Sequence, residues 1–184
     1  MTYIVQHRQT SEAKLNARFD APHIVDVTSH GPQPWVRFSP FFPHGGIPVP
    51  GSAEVLSASV EGLWQGLKVF ESADVDRAKL EVTSMKGLKR TVRRFGRCLG
   101  HRPGFGRDEL LDYITARRMI YLPAYRWVLE HRLADEVAQL RDLGRDSTVV
   151  LLDYETNVDV DDPRKPLSHA GLVAAWLDGR WPCV

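Results

Sequence analysis

Apolar and polar positions along the chain are most clearly periodic at residues 58–72. Apolar residues and glycines cover nearly every side of the helix predicted there, and a helix that is hydrophobic nearly all round is buried. Three polar residues nevertheless share one side, because Glu61 and Gln65 are four positions apart and Glu61 and Lys68 seven. Buried polar groups are costly unless they are paired. This stripe is therefore expected either to face a pocket or to form an internal Glu61–Lys68 pair bridged by Gln65.

Two glycines, Gly62 and Gly66, interrupt the apolar sides of this predicted helix. Because glycine has no side chain, they are expected to act as notches that let a neighbouring element approach closely. The polar stripe on the remaining side is where we expect an active site.

The rest of the hydrophobic pattern predicts further helices and a few short strands. Seven prolines between Pro22 and Pro50 argue against a helix in residues 20–51. The predicted strands are Ile24–Val27, Trp35–Phe38 and Thr148–Tyr154. The first predicted helix is residues 84–99, and a second is capped by Asp108 and runs to about Tyr121, where Pro123 breaks or kinks the pattern. A further long helix is predicted to run to about Leu143 and to stop at Gly144. Ser168 is predicted to cap a last helix that ends before Gly179. These elements predict a single α+β domain over residues 1–184, mostly helical with a few short strands.

Composition narrows the class of protein. The chain has 184 residues, 43% of them apolar and 26% charged, which favours one folded domain with a substantial core over disorder. Its net charge of +1 gives no whole-protein case for nucleic-acid binding. Cys98 and Cys183 lack metal spacing and are interpreted as free thiols in a reducing compartment. We expect a cytoplasmic protein without membrane contact, since no apolar run approaches about 18 residues. Neither a metal nor a cofactor is expected, because no HExxH or CxxC pattern occurs.

A basic segment lies between residues 86 and 97. It contains six cations and no acidic residue. Such a cluster attracts phosphate, and Arg93 or Arg94 is the expected contact. The alternative is a solvated helix face paired with acidic loops. The six cations are Lys86, Lys89, Arg90, Arg93, Arg94 and Arg97.

Two acidic residues, Asp153 and Glu155, stand at the end of the predicted strand Thr148–Tyr154. A carboxylate there could oppose Glu61 across a pocket, as the chemistry of glycoside hydrolysis usually requires. The alternative is that both residues simply begin an exposed loop.

Two stretches together resemble the NADAR family, also called YbiA-like. Residues 38–43 (FSPFFP) look like its F-S-N-F-[YF]-P motif, and residues 59–68 (SVEGLWQGLK) look like its [ST]-x-E-H-x-[FY]-Q-x-x-K helix. The likeness is specific over 38–70 and loose to about 177. Pro40 replaces the motif asparagine, Gly62 replaces the motif histidine, and the usual D-x-x-W-G is absent.

Members of that family with known activity cleave N-glycosidic bonds in ribosylaminopyrimidines or in ADP-ribosyl-guanine of nucleic acid. The resemblance therefore implies an N-glycoside hydrolase for a phosphorylated ribosyl or ADP-ribosyl substrate, free or in nucleic acid. Glu61 and Lys68 carry over as the catalytic pair, with Lys68 as nucleophile or phosphate ligand. The alternative is a catalytically silent module that binds ADP-ribose, a nucleotide or nucleic acid. The expected substrate-binding residues are Phe38, Phe41, Phe42, Trp64, Gln65, Arg93, Arg94, Asp153 and Glu155.

Overall fold

The computed structural model describes residues 2–182. They form two compact units: one runs Pro40–Arg132, and the other combines the described residues before Pro40 with those from Leu133 onward. The strands are β1 (Thr2–His7), β2 (His23–Asp26), β3 (Ile47–Pro48), β4 (Leu56–Ser57), β5 (Lys68–Phe70), β6 (Cys98–His101) and β7 (Thr148–Asp153). The helices are α1 (Glu12–Arg18), α2 (Val60–Gly66), α3 (Val92–Phe95), α4 (Tyr113–Ala116), α5 (Leu122–His131), α6 (Ala134–Leu143) and α7 (His169–Leu177). Helix exceeds strand, about 36% against 16%, so the α+β prediction is confirmed.

A three-stranded parallel sheet organises the unit that contains both ends of the described chain. β7 lies in the middle, between β1 and β2. The apolar run predicted as a buried strand is confirmed, since Val149, Val150 and Leu151 are fully buried. Such a run is typical of a parallel strand covered on both faces. α1 covers one face by packing Leu15 against Val150 and Leu152, and α7 contacts β1 and β7.

The proline-rich segment differs from its prediction at one place. The strand at Ile24–Val27 is confirmed within one residue as β2, but Trp35–Phe38 is a single turn of 3-10 helix and not a strand. Pro34 precedes this turn in the right-handed helical region. Proline is compatible with the start of a helical turn, where its missing N–H is not needed. The expectation that residues 20–51 contain no helix is therefore wrong for this turn.

The central helix is shorter than predicted. α2 ends at Gly66, Leu67 caps it, and the chain enters β5 at Lys68. Lys68 therefore does not continue the helical stripe, and the seven-residue spacing argument is wrong for it. The strand forms because β5 pairs antiparallel with β6, which lies about thirty positions further along the chain.

The predicted helix at residues 84–99 is mostly wrong. Only α3 is helical there, and β6 follows it. Gly87 and Gly96 both adopt positive φ, 74° and 79°, conformations that end a helix and that glycine adopts without steric cost. Leu88 and Val92 would share the inward face of such a helix, but Leu88 is buried whereas Val92 is 65% exposed.

The later helices differ from their predictions in two places. The long helix predicted to run to about Leu143 is divided into α5 and α6, which are separated at Arg132 and Leu133. Asp112, not Asp108, caps the helix that begins at α4. The helical backbone then passes through Pro123, because a π-helical turn at Arg117–Tyr121 precedes α5. A widened turn leaves room for the proline ring and does not need the N–H that proline lacks. Pro123 therefore does not break the helix. The predicted stop at Gly144 is confirmed.

The last helix also follows its prediction. Ser168 caps α7 by accepting a hydrogen bond from the Gly171 N–H at 3.1 Å. Between residues 2 and 182, no helix has both the length and the apolar character needed to cross a membrane. Cys98 is free and exposed, whereas Cys183 lies outside the described residues.

The two glycines of α2 fit their predicted role as notches. A Cβ at Gly62 would lie 2.5 Å from the backbone oxygen of Lys79. A Cβ at Gly66 would meet a Leu80 methyl at 2.8 Å and the Asp76 oxygen at 3.2 Å. The 3-10 turn at Arg77–Glu81 therefore packs directly on this helix. It also leaves no room for the histidine that the NADAR motif has at position 62.

Gly62→Ala is expected to destabilise the protein more than Gly66→Ala. Both substitutions gain helix propensity, up to about 1 kcal/mol. Overpacking against the rigid backbone oxygen at position 79 costs about 1–3 kcal/mol, while the Leu80 methyl near Gly66 can rotate away. Urea unfolding of both variants measures the two free energies. Equal stability of the two variants would contradict this packing.

Candidate functional site

Glu61 and Gln65 lie on one side of α2, as their spacing predicts. The Gln65 side-chain nitrogen donates a hydrogen bond to Glu61 Oε1 at 2.8 Å, and the Arg90 N–H donates to Gln65 Oε1 at 3.0 Å. Glu61 is 8% exposed and Gln65 4%. Both ends of the Gln65 amide therefore have a protein partner. The expected Glu61–Lys68 pair bridged by Gln65 is not formed among the described residues, because the partner on the other side of Gln65 is Arg90.

Burial changes the acid–base behaviour of Glu61. Loss of solvation raises its pKa, while the hydrogen bond from Gln65 and the nearby charges of Lys68 and Lys89 oppose the rise. The carboxyl group thus keeps its proton to a higher pH than an ordinary glutamate. Its second oxygen accepts no hydrogen bond from the described residues. A carboxyl group in this state is suited to general acid or base catalysis.

Arg90 belongs to the structure of this site and not to a solvated basic face. Its guanidinium is buried and donates to the backbone oxygens of Gln65 at 3.3 Å, Lys68 at 2.6 Å and Asp74 at 2.7 Å. A cation is stabilised at the C-terminal end of a helix, where carbonyl groups are left over. Arg90 therefore holds the chain where α2 ends and β5 begins.

Lys68 opens onto a cavity of about 280 Å³. Its ammonium lies 5.9 Å from the centre of the Trp64 ring and makes no hydrogen bond or ion pair with the described residues. Burial lowers the pKa of Lys68, although the Glu61 carboxylate opposes the effect. A partly desolvated lysine is more often neutral and can act as a nucleophile. The cavity is lined by Lys68, Cys98, Leu99, Gly100, His101 and Tyr113.

His101 was not predicted as a site residue, yet it is the most unusual group of this cavity. It lies opposite Lys68 in the β5–β6 ladder, and its ring packs on Trp64 with centroids 3.8 Å apart. It is 1% exposed, and neither ring nitrogen has a hydrogen-bond partner among residues 2–182. Burial, assisted by the charge of Lys68, lowers the pKa of His101 to about 3, so the ring is neutral.

The predicted aromatic residues are divided between the two units. Phe41 and Phe42 lie half-buried in the same unit as Lys68, and Phe41 packs 5.6 Å from the Lys89 ammonium. Trp64 is buried and packs against the rings of His101 and Tyr113, and it is not among the residues that line the cavity. Phe38 belongs to the other unit and is fully buried, so its ring is a core contact there.

The two predicted acidic residues lie in the other unit as well. Asp153 is 3% exposed and accepts hydrogen bonds from Ser168 Oγ at 2.8 Å and the Ala170 N–H at 3.2 Å, besides pairing with His169 at 3.0 Å. These contacts occupy Asp153 at the start of α7 and give it a structural role. Glu155 lies half-buried in the loop that follows β7.

Exposed cations surround α3 in the unit that holds the cavity. Arg93 and Arg94 are exposed, as are Lys86 and Lys89, and none of the four forms an ion pair with the described residues. Arg97 does, with Glu71 at 3.4 Å. Cys98 and Leu99, which line the cavity, directly follow this segment in β6. The segment thus retains the charge for phosphate binding, although most of it is not the predicted helix.

Metal coordination has no support in the described part of the chain. No cluster of three or more histidine, cysteine, aspartate or glutamate side chains there could hold a metal ion.

Comparison with known proteins gives a family without an activity. The profile of a family of unknown function, DUF6939, matches residues 7–173. The chain belongs to this family. No curated protein matches the chain. Membership of DUF6939 thus spans both compact units and leaves the function to be inferred from the cavity.

Lys68 is expected to titrate below 10.5, the ordinary value for lysine, because burial lowers its pKa. Dimethylation with ¹³C-formaldehyde gives each lysine an NMR signal, and the Lys68→Arg variant identifies the signal of Lys68 by its absence. The same labelled protein unfolded in urea supplies the reference. A midpoint for Lys68 equal to that in urea would contradict the burial argument.

Proposed function

We propose that this member of DUF6939 is an N-glycoside hydrolase that cleaves the bond between a base and a phosphorylated ribose or ADP-ribose. The observation that carries the proposal is Lys68, an amine of lowered pKa that lines a cavity beside a buried carboxyl group. Glu61, Gln65 and Lys68 are also the residues through which the chain resembles NADAR proteins. The cavity supplies an amine and a nearby carboxyl group, and the resemblance indicates that they act at an anomeric carbon.

Each group has a defined part in this reaction. The neutral Lys68 amine attacks the anomeric carbon as the bond to the base breaks. The base leaves with the electron pair of that bond and takes a proton from Glu61, whose raised pKa keeps a proton available. Attack leaves an extra proton on the Lys68 nitrogen, and this proton passes to the Glu61 carboxylate. Water then adds to the anomeric carbon and gives a proton to the Lys68 nitrogen as the carbon–nitrogen bond breaks, which restores the neutral amine and the protonated Glu61. The net reaction consumes one water and yields free base and free sugar.

Size and charge indicate how the substrate lies. A cavity of about 280 Å³ is slightly below the range of about 300–1,000 Å³ for drug-sized ligands. It fits a base and the reacting carbon but not a whole ADP-ribose. The phosphates would therefore remain outside, where Arg93 and Arg94 offer unpaired positive charge. The half-buried rings of Phe41 and Phe42 would stack on the base.

Release of free base tests the proposal. Ribosylaminopyrimidine phosphate and ADP-ribosyl-guanine, the latter free and within an oligonucleotide, are each incubated with wild type and with Glu61→Gln, and the products are separated by liquid chromatography. We expect wild type to release base from at least one of them and Glu61→Gln to be at least about tenfold slower, since it cannot donate the proton. Equal behaviour of the two proteins on every substrate would end the assignment.

One observation favours a second function, a silent binding module for ADP-ribose-like ligands or nucleic acid. Glu61 is not among the residues that line the cavity, and Gln65 covers one of its oxygens. In that case ADP-ribose raises the unfolding temperature of wild type and Glu61→Gln equally. High salt weakens the effect, and no base appears with either protein.

A further inference from the structure

Three parallel strands, β1, β7 and β2, place their carboxyl ends at one edge of the sheet. Arg8 directly follows β1, Asp153 ends β7 and Asp26 ends β2. Helix α1 covers the face of β7 that carries Val150 and Leu152. Because side chains alternate between the two faces of a strand, Asp153 lies on the opposite face, where it binds the start of α7. The helices that follow β1 and β7 thus cover opposite faces, and open parallel sheets bind ligands in the crevice outside such a pair of strands.

Arg8 offers unused hydrogen-bond donors at this edge. Its Nε donates to Asp26 Oδ2 at 2.9 Å. Asp26 Oδ1 in turn accepts from the N–H and the hydroxyl of Thr28, at 3.0 Å and 2.7 Å, so the acceptor that orients the guanidinium is itself fixed. The terminal nitrogens of Arg8 have no acceptor among residues 2–182, and the side chain is 35% exposed. Two parallel N–H groups of a guanidinium match the two oxygens of a carboxylate or a phosphate.

An exposed aromatic ring lies beside this guanidinium. Tyr154 is 42% exposed, and the centre of its ring is 5.7 Å from the central carbon of the Arg8 guanidinium. Its hydroxyl is hydrogen-bonded to His30 Nδ1 at 3.2 Å, and the two rings meet edge to face. His30 therefore holds the tyrosine ring at its hydroxyl end. The edge of the sheet combines an anion-binding fork with an apolar surface on which a second ring can pack.

Charge selects a ligand with a single negative charge. Asp26 offsets the charge of Arg8, and Asp153 offsets that of His169. Glu155 follows in the loop after β7, so this edge has no surplus of positive charge. The whole unit contains thirteen acidic residues against nine lysines and arginines. That balance disfavours polyanions such as nucleic acid or pyrophosphate, whereas one carboxylate matches one guanidinium fork.

We propose that the carboxyl edge of this sheet binds a small aromatic carboxylate. The carboxylate accepts hydrogen bonds from the terminal nitrogens of Arg8, and the aromatic ring of the ligand packs against Tyr154. Charge-assisted bidentate hydrogen bonds and contact between two rings both favour binding. Asp26 and His30 position the two binding residues. The site belongs to the other unit than Lys68, and it does not depend on the proposed hydrolase.

Benzoate and three related probes test the site. Acetate has the carboxylate without the ring, benzamide has the ring without the charge, and phenyl phosphate carries a second negative charge. Each is titrated into ¹⁵N-labelled protein, and the guanidinium signals of the arginines are followed by NMR. We expect benzoate to bind wild type at least about tenfold more tightly than acetate or benzamide, because it alone makes both contacts. Phenyl phosphate should also bind more weakly than benzoate.

Two variants separate the two contacts. Arg8→Gln removes the fork and should bind benzoate no better than benzamide, and the signals missing from its spectrum identify those of Arg8. Tyr154→Leu removes the exposed ring and should bind benzoate no better than acetate. His23→Gln, an exposed change on β2 of the same unit, is the control and should bind as wild type does. The unfolding temperature of each variant verifies that it is folded.

Several results would overturn the inference. Equal affinity of wild type for benzoate and benzamide would remove the anion-binding role of Arg8, as would unchanged affinity in Arg8→Gln. Tighter binding of phenyl phosphate than of benzoate would make the ligand a phosphate ester instead. Arg8 signals that do not move with benzoate up to its solubility limit would mean that the edge binds no such ligand. If Arg8→Gln does not fold, Tyr154→Leu decides, and full benzoate affinity in that variant would contradict the proposal.

Discussion

Lys68→Met is expected to lower the rate of base release by at least about a hundredfold, the lower end for loss of a positioned catalytic group. Methionine has a similar length and can occupy the half-buried position, so the cavity keeps its shape while the nucleophile is lost. Single-turnover release of base by the variant and by wild type gives the comparison. Lys14→Met, an exposed substitution on α1, is the matched control and should leave the rate unchanged.

Lys68→Arg separates the two roles that the resemblance leaves open for this lysine. Arginine keeps a positive charge and binds phosphate well, but it does not lose its proton and cannot attack carbon. If Lys68 is the nucleophile, the arginine variant is as slow as the methionine variant. If Lys68 holds a phosphate, the arginine variant keeps much of the activity. A methionine variant within a few-fold of wild type would remove Lys68 from both roles.

The spacing of residues in the sequence predicted the contact that lies within a single helix. Glu61 and Gln65 are one helical turn apart, and helix geometry alone brings their side chains together. Their hydrogen bond confirms it. The fit of Gly62 against a neighbouring backbone could also be anticipated, because a glycine in a buried helix indicates close approach. The partner at that notch, the oxygen of Lys79, could not be identified from the sequence.

Pairing over long sequence distance accounts for the failures. Lys68 was placed on the helix because no local signal shows that β5 pairs with β6. For the same reason no local signal identifies His101 as a site residue, although this pairing sets it opposite Lys68. Gly87 and Gly96 could have indicated that residues 84–99 do not form one helix, since both glycines interrupt it with a positive φ. Arg90 lies between them, and its burial depends on carbonyl groups that only the folded chain brings together.

Two histidines, His101 and His169, differ in their hydrogen bonding. The neutral ring of His101 has no hydrogen-bond partner among the described residues, whereas His169 is buried in the other unit between two acceptors. Its Nδ1 lies 3.0 Å from Asp153 Oδ2, and its Nε2 lies 2.9 Å from the Val27 carbonyl oxygen. Since both partners accept hydrogen bonds, both nitrogens carry protons and the ring is an imidazolium. The surroundings of His101 and His169 thus give the same type of side chain two different charge states.

His169→Gln is expected to lower the free energy of unfolding by about 3–5 kcal/mol, the usual effect of removing one partner of a buried ion pair. The variant leaves the Asp153 carboxylate without its cation in a site that excludes water. Hydrogen bonds from Ser168, Ala170 and the Tyr154 N–H remain to stabilise that charge. Urea unfolding at neutral pH measures the loss. His23→Gln, an exposed change on β2, serves as the control and should stay within about 0.5 kcal/mol of wild type.

The Asp153–His169 pair makes the free energy of unfolding depend on pH. Burial opposes the charge on His169, but the Asp153 carboxylate prevails and raises the pKa of His169 above its ordinary value of 6.5. Its contribution to stability is therefore complete below 6.5 and is lost as the pH rises through the folded value. The pKa of Asp153 is lowered from 3.8, also against the effect of burial, mainly by His169. Its contribution is complete above 3.8 and is lost as the pH falls through the folded value.

Wild type should therefore be most stable relative to His169→Gln between these limits. The difference in unfolding free energy between the two proteins is expected to shrink on the alkaline side, as the imidazolium loses its proton. It should also shrink on the acid side, as Asp153 becomes protonated. Urea unfolding across the pH range, with the His23→Gln control at each point, follows the difference. A difference that stays constant from acid to alkaline pH would show that His169 is not charged in the folded protein.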